Sequence, residues 1–255
     1  MMEKKTTMQE ERVKILNNTN IAKDTWRMEL SADMAKDMKP GQFVNIKIDG
    51  FMLRRPISIS SVEDHKFVIV YKVVGDGTKK LSMMHANSLS RCFLDLLGSS
   101  YPLHEEEDEI LIIGGGVGVP PLYELAKQYR RMNKKVYVVL GFNDADSVFY
   151  EEEFKALGCD VSVATMDGSY GIKGTVIDAI KEKDIKADFT CSCGPRAMLK
   201  AVEEKYTRGY MSFEARMACG IGACMACVAK DKKEENMYHR ICKEGPVFPI
   251  GKVEY

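Results

Sequence analysis

The first hundred residues contain short runs that either alternate between apolar and polar positions or are rich in β-forming residues, interrupted by Gly and Pro. The clearest runs are Phe43–Ile48, Ile57–Ser60 and Phe67–Tyr71. A period of two between frequent turn residues is typical of β-strands with one buried face. We therefore predict an antiparallel β-barrel or sandwich over about residues 10–103.

The pattern changes after the acidic stretch at 105–109, where continuous apolar strands alternate with amphipathic helices. This alternation predicts βαβ units and a parallel sheet. The predicted strands are 110–113, 136–140, 160–165 and 188–192, and the predicted helices are 121–132, 151–157, 175–181 and 195–206. From about residue 208 the chain is rich in Gly and Cys with little periodicity, as expected of a segment organised by a metal.

Charge and hydropathy exclude several classes of protein. The chain has 37 Lys and Arg against 37 Asp and Glu, so no whole-chain field attracts nucleic acid or an anionic membrane. Its apolar runs are much shorter than the roughly 20 residues that a transmembrane helix needs. The charged first residues lack the apolar stretch of a secretory signal. We therefore predict a cytoplasmic protein without nucleic-acid or membrane partners.

Eight cysteines in a reducing compartment indicate metal or redox roles rather than disulfides. Four of them, Cys92, Cys159, Cys191 and Cys193, are scattered among apolar neighbours. The other four lie close together near the carboxyl terminus: Cys219, Cys224, Cys227 and Cys242. The clustered set is the candidate metal site.

The clustered cysteines are spaced C-x4-C-x2-C-x14-C, and this opening matches the plant-type pattern for a two-iron, two-sulfur cluster. Such a cluster needs two thiolates per iron and a loop without steric obstruction, which Gly220 and Gly222 favour. A structural zinc site is the alternative, although zinc ligands usually form two separate pairs. We predict that His239 is a surface residue, because a Rieske centre would need two histidines.

A glycine-rich turn containing Gly115, Gly116 and Gly118 joins the first predicted parallel strand to its helix. Backbone N–H groups and the positive end of a helix dipole meet there, which suits a pyrophosphate or nicotinamide. A plain tight turn is the alternative, because Pro121 replaces the third glycine of the Rossmann fingerprint. Asp144 follows the next strand and favours a free ribose 2′-hydroxyl, and therefore NAD over NADP.

Two further motifs are candidate ligand sites. Cys193 ends the last predicted strand at the ligand-binding edge of the sheet, so its thiol either contacts nicotinamide or is buried and inert. Arg54 and Arg55 are adjacent, and one of the pair offers a planar fork for phosphate, while Ser58 offers a donor to a ring system. Gly77 and Thr78 belong to a turn in which Thr78 is the predicted N-cap of a helix over 79–84. Solvated arginines and an ordinary turn are the alternatives.

Together these motifs resemble the ferredoxin–NADP reductase superfamily. The matching segments are Arg-x-x-Ser at 55–58, Gly-Gly-x-Gly-x-x-Pro-Leu at 115–122 and Cys-Gly-Pro-x-x-Met at 193–198. Ile57 stands where that superfamily usually has an aromatic residue. Within it, the whole chain resembles the electron-transfer subunits of class 1B, NAD-dependent dihydroorotate dehydrogenases, most specifically over 216–227 and 242–248.

The resemblance implies FAD, a 2Fe-2S cluster on the four clustered cysteines, and NAD. It divides the chain into an FAD-binding β-barrel domain (1–103), an NAD-binding α/β domain (104–207) and a small 2Fe-2S segment (208–255). The residues that it implies for FAD are Arg55, Pro56, Ile57, Ser58, Val70, Tyr71, Lys72, Gly77 and Thr78.

The resemblance also implies a partner, the FMN-containing dihydroorotate dehydrogenase catalytic subunit, in a heterotetramer with two copies of each chain. Electrons would pass from FMN through the cluster to FAD and then as hydride to NAD+, in pyrimidine biosynthesis. One alternative is a reductase subunit of another NAD(P)-linked complex of the hydrogenase, sulfide or ferredoxin type. Another is a zinc-stabilised nucleotide-binding sensor without turnover.

Overall fold

A computed structural model describes residues 10–254 of the chain, with only the backbone described at 10–12 and 89–96. The amino-terminal part is a closed, antiparallel six-stranded barrel in the order β1-β2-β5-β4-β3-β6. Its strands are β1 (Glu10–Ala22), β2 (Thr25–Ser31), β3 (Phe43–Lys47), β4 (Arg55–Glu63), β5 (Lys66–Lys72) and β6 (Leu89–Leu97). Helix α1 (Asp76–Ser82) follows β5, and a 3-10 helix at Asp33–Asp37 precedes β3. The predicted barrel is confirmed.

The barrel core follows from the alternation seen in the sequence. Val44 and Ile46 on β3 and Ile57 and Ile59 on β4 point inward and are at most 8% exposed. Successive side chains of a strand point to opposite faces, so the residues between them face out of the barrel. The outer face of β3 and β4 is therefore available to the rest of the chain.

The second part is a seven-stranded sheet in the order β10-β9-β8-β7-β11-β12-β15. Its strands are β7 (Glu109–Gly115), β8 (Lys135–Phe142), β9 (Asp160–Thr165), β10 (Ile172–Lys173), β11 (Phe189–Cys193), β12 (Arg208–Ser212) and β15 (Val247–Pro249). Its helices are α2 (Pro120–Arg131), α3 (Glu151–Ala156), α4 (Val176–Glu182) and α5 (Arg196–Lys205), with 3-10 turns at Gly116–Gly118 and Ala145–Ser147. The pairs are parallel except β12 with β15, which confirms the predicted α/β part. No helix within 10–254 is long and apolar enough to span a bilayer.

The carboxyl-terminal segment is anchored at both ends in this sheet. Strand β12 pairs in parallel with β11 and antiparallel with β15. Between them lie the cysteine-rich loop and a small hairpin of β13 (Val228–Lys230) and β14 (Tyr238–Arg240). The segment therefore extends the nucleotide-type sheet at its edge.

The two parts are joined where α2 packs against β4. Glu124 on α2 is 2% exposed and accepts a hydrogen bond from the Val62 N–H at 3.0 Å. Lys127 Nζ donates to the Val62 carbonyl oxygen at 2.8 Å and to Glu124 at 2.9 Å. Since charge-assisted hydrogen bonds are strong and directional, they fix the middle of α2 relative to the end of β4, the strand that begins with Arg-Pro-Ile-Ser.

Candidate functional site

The barrel has an opening beside the Arg-Pro-Ile-Ser segment. Pairing between β4 and β5 runs from Glu63 and Lys66 to Ile59 and Ile69. Arg55–Ser58 pair with β3 beyond that point, and the end of β5 pairs with β2. The backbone N–H and C=O groups on the two facing edges do not pair with each other there. Unpaired backbone groups need a hydrogen-bond partner, and a bound cofactor can supply it. The predicted flavin residues of β4 and β5 lie on the two edges of this opening, while Gly77 and Thr78 lie in α1.

Arg55 and Gly77 are in direct contact at one end of the opening. A Cβ at Gly77 would lie 2.3 Å from Arg55 Nε, so a side chain there would displace the guanidinium. Arg55 also lies 4.8 Å from the centroid of the Phe51 ring and donates to the Leu53 carbonyl oxygen. The guanidinium is thereby held at the first turn of α1, where cation and helix dipole together favour a phosphate. This arrangement fits the pyrophosphate of FAD.

The predicted N-cap role of Thr78 is wrong. Helix α1 begins at Asp76, with the extended residue Gly75 preceding it, so Thr78 lies within the first turn. Its hydroxyl accepts from the N–H groups of Val74 and Gly75 at 3.0 and 3.3 Å and donates to the Gly75 carbonyl oxygen. Asp76 explains the earlier start, because an acidic residue in the first turn stabilises the helix dipole.

Several residues predicted to bind FAD have side chains that point away from the opening. Ile57 and Tyr71 belong to the barrel core, and Val70 packs against the second part of the chain. The Tyr71 hydroxyl donates to Asn18 at 2.9 Å, and burial raises its pKa. Their backbone groups are therefore what they can offer a flavin, and Ile57 offers no ring for stacking.

A cavity of about 610 Å³ lies at the carboxyl ends of the parallel strands, between barrel and sheet. The chain runs from β7 outward through β8 to β10 and then crosses back to β11, so the strand order reverses between β7 and β11. Such a reversal is where open α/β sheets bind nucleotides. The lining includes Gly116, Asn143, Pro195 and Met198 from the sheet and Lys72 from the barrel. The cavity therefore fits NAD beside the flavin opening.

Each predicted glycine of the turn meets a different steric requirement. Gly116 has φ +52° and open space around its Cα, a conformation that favours glycine. A Cβ at Gly115 would lie 2.7 Å from Met198 Sδ, and a Cβ at Gly118 would lie 2.4 Å from the Cys193 carbonyl oxygen. All three positions therefore favour glycine for a steric or conformational reason, which an ordinary tight turn between a strand and a helix would not require.

Cys193 has a buried side chain, while Gly194 and Pro195 next to it line the cavity. Burial and the nearby Glu214 carboxylate raise the pKa of the Cys193 thiol. Contact of this thiol with nicotinamide remains a prediction. Glu214 also lines the cavity, and sequence reasoning missed it. The residue as a whole is exposed to solvent, yet the protein around its carboxyl partly desolvates it and raises its pKa.

Asp144 acts as a cap rather than as a cavity wall. Its carboxylate accepts from the Ser147 N–H at 3.0 Å and the Ser147 hydroxyl at 2.7 Å. Its other oxygen lies 3.7 Å from Lys23 Nζ. Gly141, Phe142, Asn143 and Ser147 line the cavity at this strand end, whereas Asp144 does not, so the ribose contact assigned to Asp144 remains a prediction.

The four clustered cysteines form two thiol pairs. Cys224 Sγ lies 3.3 Å from Cys219 Sγ, while Cys227 and Cys242 are buried and hydrogen-bonded to each other. In the part of the chain that the structure describes, no three His, Cys, Asp or Glu side chains form a ready site for one metal ion. Two pairs of thiols are what two irons, each with two thiolates, require.

Backbone N–H groups surround these sulfurs. Those of Ile221 and Cys224 point at Cys219 Sγ from 3.5 and 3.4 Å, and that of Gly222 donates to Cys242 Sγ at 3.2 Å. Burial raises the pKa of Cys219, but backbone N–H groups together with the Cys224 thiol outweigh it and bring the pKa to about 7. Hydrogen bonds to thiolate sulfur are a main determinant of cluster potential, so the donor set and loop fit a 2Fe-2S cluster.

The prediction that His239 is a surface residue is wrong. His239 is 7% exposed, and its Nε2 lies 2.8 Å from Asp231 Oδ2. The same carboxylate pairs with Lys252 at 2.7 Å and accepts from the Lys233 N–H at 2.8 Å. Its hydrogen bonds to Lys252 and His239 lower the pKa of Asp231. This buried network ties the hairpin to the last residues.

The fourth scattered cysteine, Cys92, has a side chain outside the described residues.

Two family models match the chain. One is the iron-sulfur cluster binding domain of dihydroorotate dehydrogenase B, over residues 214–254. The other is the oxidoreductase NAD-binding domain, over residues 112–204. Their positions coincide with the cysteine segment and with the cavity-bearing sheet, which confirms the predicted iron–sulfur and NAD-binding character of these regions.

Solved structures share the fold. The structure of an NADH-dependent reduced ferredoxin-NADP oxidoreductase, described for flavin-based electron bifurcation, matches with a TM-score of 0.83 at 28% identity and covers 95% of this chain and 89% of that one. Phthalate dioxygenase reductase matches with a TM-score of 0.65 at 15% identity, covering 96% and 95%. The predicted ferredoxin–NADP reductase-like architecture is confirmed.

Curated relatives match nearly the whole chain. A protein of Fusobacterium nucleatum subsp. nucleatum is 46% identical over 251 residues, covering 93% of this chain and 95% of its own length. A protein of Bacillus mycoides is 44% identical over 258 residues, covering 96% and 99%. Both are named dihydroorotate dehydrogenase B (NAD(+)), electron transfer subunit. Identity at this level and coverage shows that the chain belongs to the family of dihydroorotate dehydrogenase B electron transfer subunits.

Proposed function

We propose that this chain is an electron carrier in pyrimidine biosynthesis. It accepts electrons from a catalytic subunit that oxidises dihydroorotate, and it passes them to NAD+. The observation that carries the proposal is that one chain places a flavin-type barrel opening, a nucleotide cavity and four clustered thiols next to one another. Relatives 44–46% identical over nearly full length are named as this electron transfer subunit. An electron transfer subunit implies a catalytic partner.

The proposal divides the chain into three functional regions: residues 1–103 for FAD, 104–207 for NAD and 208–255 for the cluster. Residues 1–9 and 255 lie outside the described residues. The FAD pyrophosphate would be held by Arg55 with Gly77 and the first turn of α1, and the flavin ring by Ser58 and backbone groups of the opening. NAD would lie on the turn Gly115–Gly118. Cys219, Cys224, Cys227 and Cys242 would hold the cluster.

When bound, FAD exchanges electrons singly with the cluster and in pairs, as hydride, with the nicotinamide. The chain's own residues bind and orient. Lys72 lies at the end of a flavin-binding strand and also lines the nucleotide cavity, so the two cofactors meet there. Glu124 and Lys127 hold α2 against β4, which keeps the nucleotide turn aligned with the flavin strand.

The proposed partner is an FMN-containing catalytic subunit, assembled with this chain as two copies of each. The cluster segment offers a surface for it. Cys219 and Cys224 are only half-buried, and the side chain of Met225 beside them is 62% exposed. A cluster near the surface can exchange electrons with a flavin in another chain, whereas the inner pair, Cys227 and Cys242, faces the body of this one.

Coexpression with an FMN-binding dihydroorotate dehydrogenase chain tests the proposal. We expect the two chains to copurify with FMN, FAD, iron and acid-labile sulfide, and to reduce NAD+ with dihydroorotate under anaerobic conditions. The catalytic chain alone should fail to reduce NAD+. Copurification without dihydroorotate-dependent NAD+ reduction would refute the proposed function.

A second candidate is a reductase subunit of a ferredoxin-linked NAD(P) complex. It is favoured by one observation, the 0.83 TM-score with an NADH-dependent reduced ferredoxin-NADP oxidoreductase over 95% of this chain. The two functions differ in the electron donor. Reduced ferredoxin supporting NAD(P)+ reduction in place of dihydroorotate would favour this candidate.

A further inference from the structure

Asn45 is a buried polar residue on the outer face of the barrel. It lies on β3, where its neighbours Val44 and Ile46 point into the barrel core. Across the ladder its partner on β4 is Pro56 of the flavin segment. Phe43, two residues earlier and on the same outer face, packs in a cluster with Cys227 and Cys242. Asn45 is 1% exposed, so it is enclosed where barrel and cluster segment meet.

The Asn45 side chain is bonded to the cysteine loop. Its Nδ2 donates to the Cys219 carbonyl oxygen at 3.1 Å. Gly220, the next residue, has φ +68°, and a Cβ there would lie 2.5 Å from Asn45 Nδ2. Glycine thus allows the loop both its left-handed conformation and its close approach to the amide.

A contribution to folding stability does not by itself explain this contact. Burying an amide without all its hydrogen bonds is unfavourable, and Asn45 Oδ1 has no hydrogen-bond partner within the described residues. An apolar side chain such as the nearby Phe43 fills the same face without that cost. A half-satisfied buried amide is best explained by the position that it fixes, as a buried Asn fixes register in coiled coils.

We infer that Asn45 is a positioning residue for electron transfer. It holds the backbone of the first cluster ligand, Cys219, against the strand pair that carries the flavin segment. The inference rests on the proposed function, since it gives Asn45 the task of fixing the cluster relative to FAD. Outer-shell partners of metal ligands typically change activity or metal affinity by about 10–100-fold when replaced, and Asn45 reaches the ligand through its main chain.

The test compares Asn45→Asp and Asn45→Leu with Phe43→Leu. Asp has nearly the shape of Asn but, when ionised, cannot donate to the Cys219 carbonyl, and Leu removes the polar group altogether. Phe43→Leu trims the same barrel face without touching a hydrogen bond. The readouts are iron and FAD content, the electron paramagnetic resonance spectrum and midpoint potential of the dithionite-reduced cluster, and two rates of the complex: NADH to ferricyanide, and dihydroorotate to NAD+.

We expect both Asn45 variants to keep FAD and the NADH–ferricyanide rate, to show an altered resonance spectrum and potential, and to lose dihydroorotate–NAD+ turnover by about tenfold or more. Loss of iron from the Asn45 variants alone would also support the inference, because the loop is then no longer held. A wild-type spectrum and rate in both Asn45 variants overturns it. Equal changes in Phe43→Leu also overturn it, since packing alone would then explain them.

The proposed function and the role of Asn45 can be disproved separately. If the wild-type complex does not reduce NAD+ with dihydroorotate, the proposed function is wrong. The resonance spectrum and potential of the isolated chain still decide the role of Asn45 in that case, because they need no partner.

Discussion

Gly118 lies against the backbone of Cys193, with the position of a Cβ only 2.4 Å from the Cys193 carbonyl oxygen. The first turn leading into α2 is thereby pressed against the end of β11, across the point where the strand order of the sheet reverses. Main chain cannot move aside as a flexible side chain can. The shape of the nucleotide cavity therefore depends on this glycine.

Gly118→Ala should impair NADH binding selectively. The added methyl must push the glycine turn away from β11, and a displacement of about 1 Å at a binding site can cost roughly 100-fold. We expect KM for NADH to rise at least about tenfold, with FAD and iron contents unchanged. Steady-state NADH–ferricyanide assays measure this. An unchanged KM would show that the turn lies away from the nucleotide.

Arg55→Ala should weaken FAD retention, because it removes the guanidinium fork at the first turn of α1. Arg55→Lys should restore it only in part, since an ammonium cannot bind phosphate in a bidentate manner. The control is Lys79→Ala, which removes an exposed cation from the same helix. Flavin absorbance after gel filtration gives the readout. Full flavin content in Arg55→Ala would move the pyrophosphate contact to another residue.

Cys224→Ser should remove the cluster and abolish dihydroorotate-dependent NAD+ reduction, while NADH oxidation by ferricyanide partly survives through FAD. The matched control is Cys159→Ser, a buried thiol in the apolar core of the sheet domain, whose pKa burial raises to about 11. Iron and acid-labile sulfide should persist in that control. Full partner-dependent activity in Cys224→Ser would contradict the proposed electron path.

Glu214→Gln should stabilise the protein at alkaline pH. Partial desolvation by the surrounding protein raises the pKa of Glu214 in the folded state, although solvent reaches the residue and screens the effect. Folding is therefore slightly penalised once the pH exceeds the ordinary glutamate pKa of about 4.3 and the carboxyl must ionise. The variant lacks that penalty.

The thermal midpoint of Glu214→Gln should therefore exceed that of wild type at about pH 8, and the difference should fade as the pH approaches about 4. Circular dichroism melts at several pH values measure it. Glu182→Gln, which replaces an exposed carboxylate at the end of α4, is the control and should show no such trend. A difference independent of pH would reject burial as the cause.

The local patterns predicted the elements well because barrel strands and βαβ units each have a characteristic period. The prediction of a helix after Gly77 placed its start too late, since a threonine was read as the cap although an extended glycine and an aspartate start the helix. His239 was misjudged because burial of a histidine depends on a partner eight residues earlier, Asp231. No local pattern encodes that pairing.

The site was predicted in part for the same reason. The cysteine spacing and the glycine turn are contiguous motifs, so their residues can be recognised from the sequence alone. Asn45 and Glu214 belong to no motif and gain their places only when β3 meets the cysteine loop and when the chain after β12 passes the cavity. The signal that was available for Asn45 was an amide at a position between two inward-facing apolar residues of a strand, which gives the face but not the neighbour.

The antiparallel pairing of β12 with β15 brings the two ends of the cluster segment together: the Phe213 N–H donates to the Pro246 carbonyl oxygen at 2.9 Å. Residues 214–245 therefore leave the sheet after β12 and return to it beside the point where they left. Such an insert can be gained, exchanged or deleted without breaking the connectivity of the host fold. A chain in which a short turn replaces residues 214–245 should still fold as a flavin- and nucleotide-binding oxidoreductase, but one that no longer exchanges electrons with a partner.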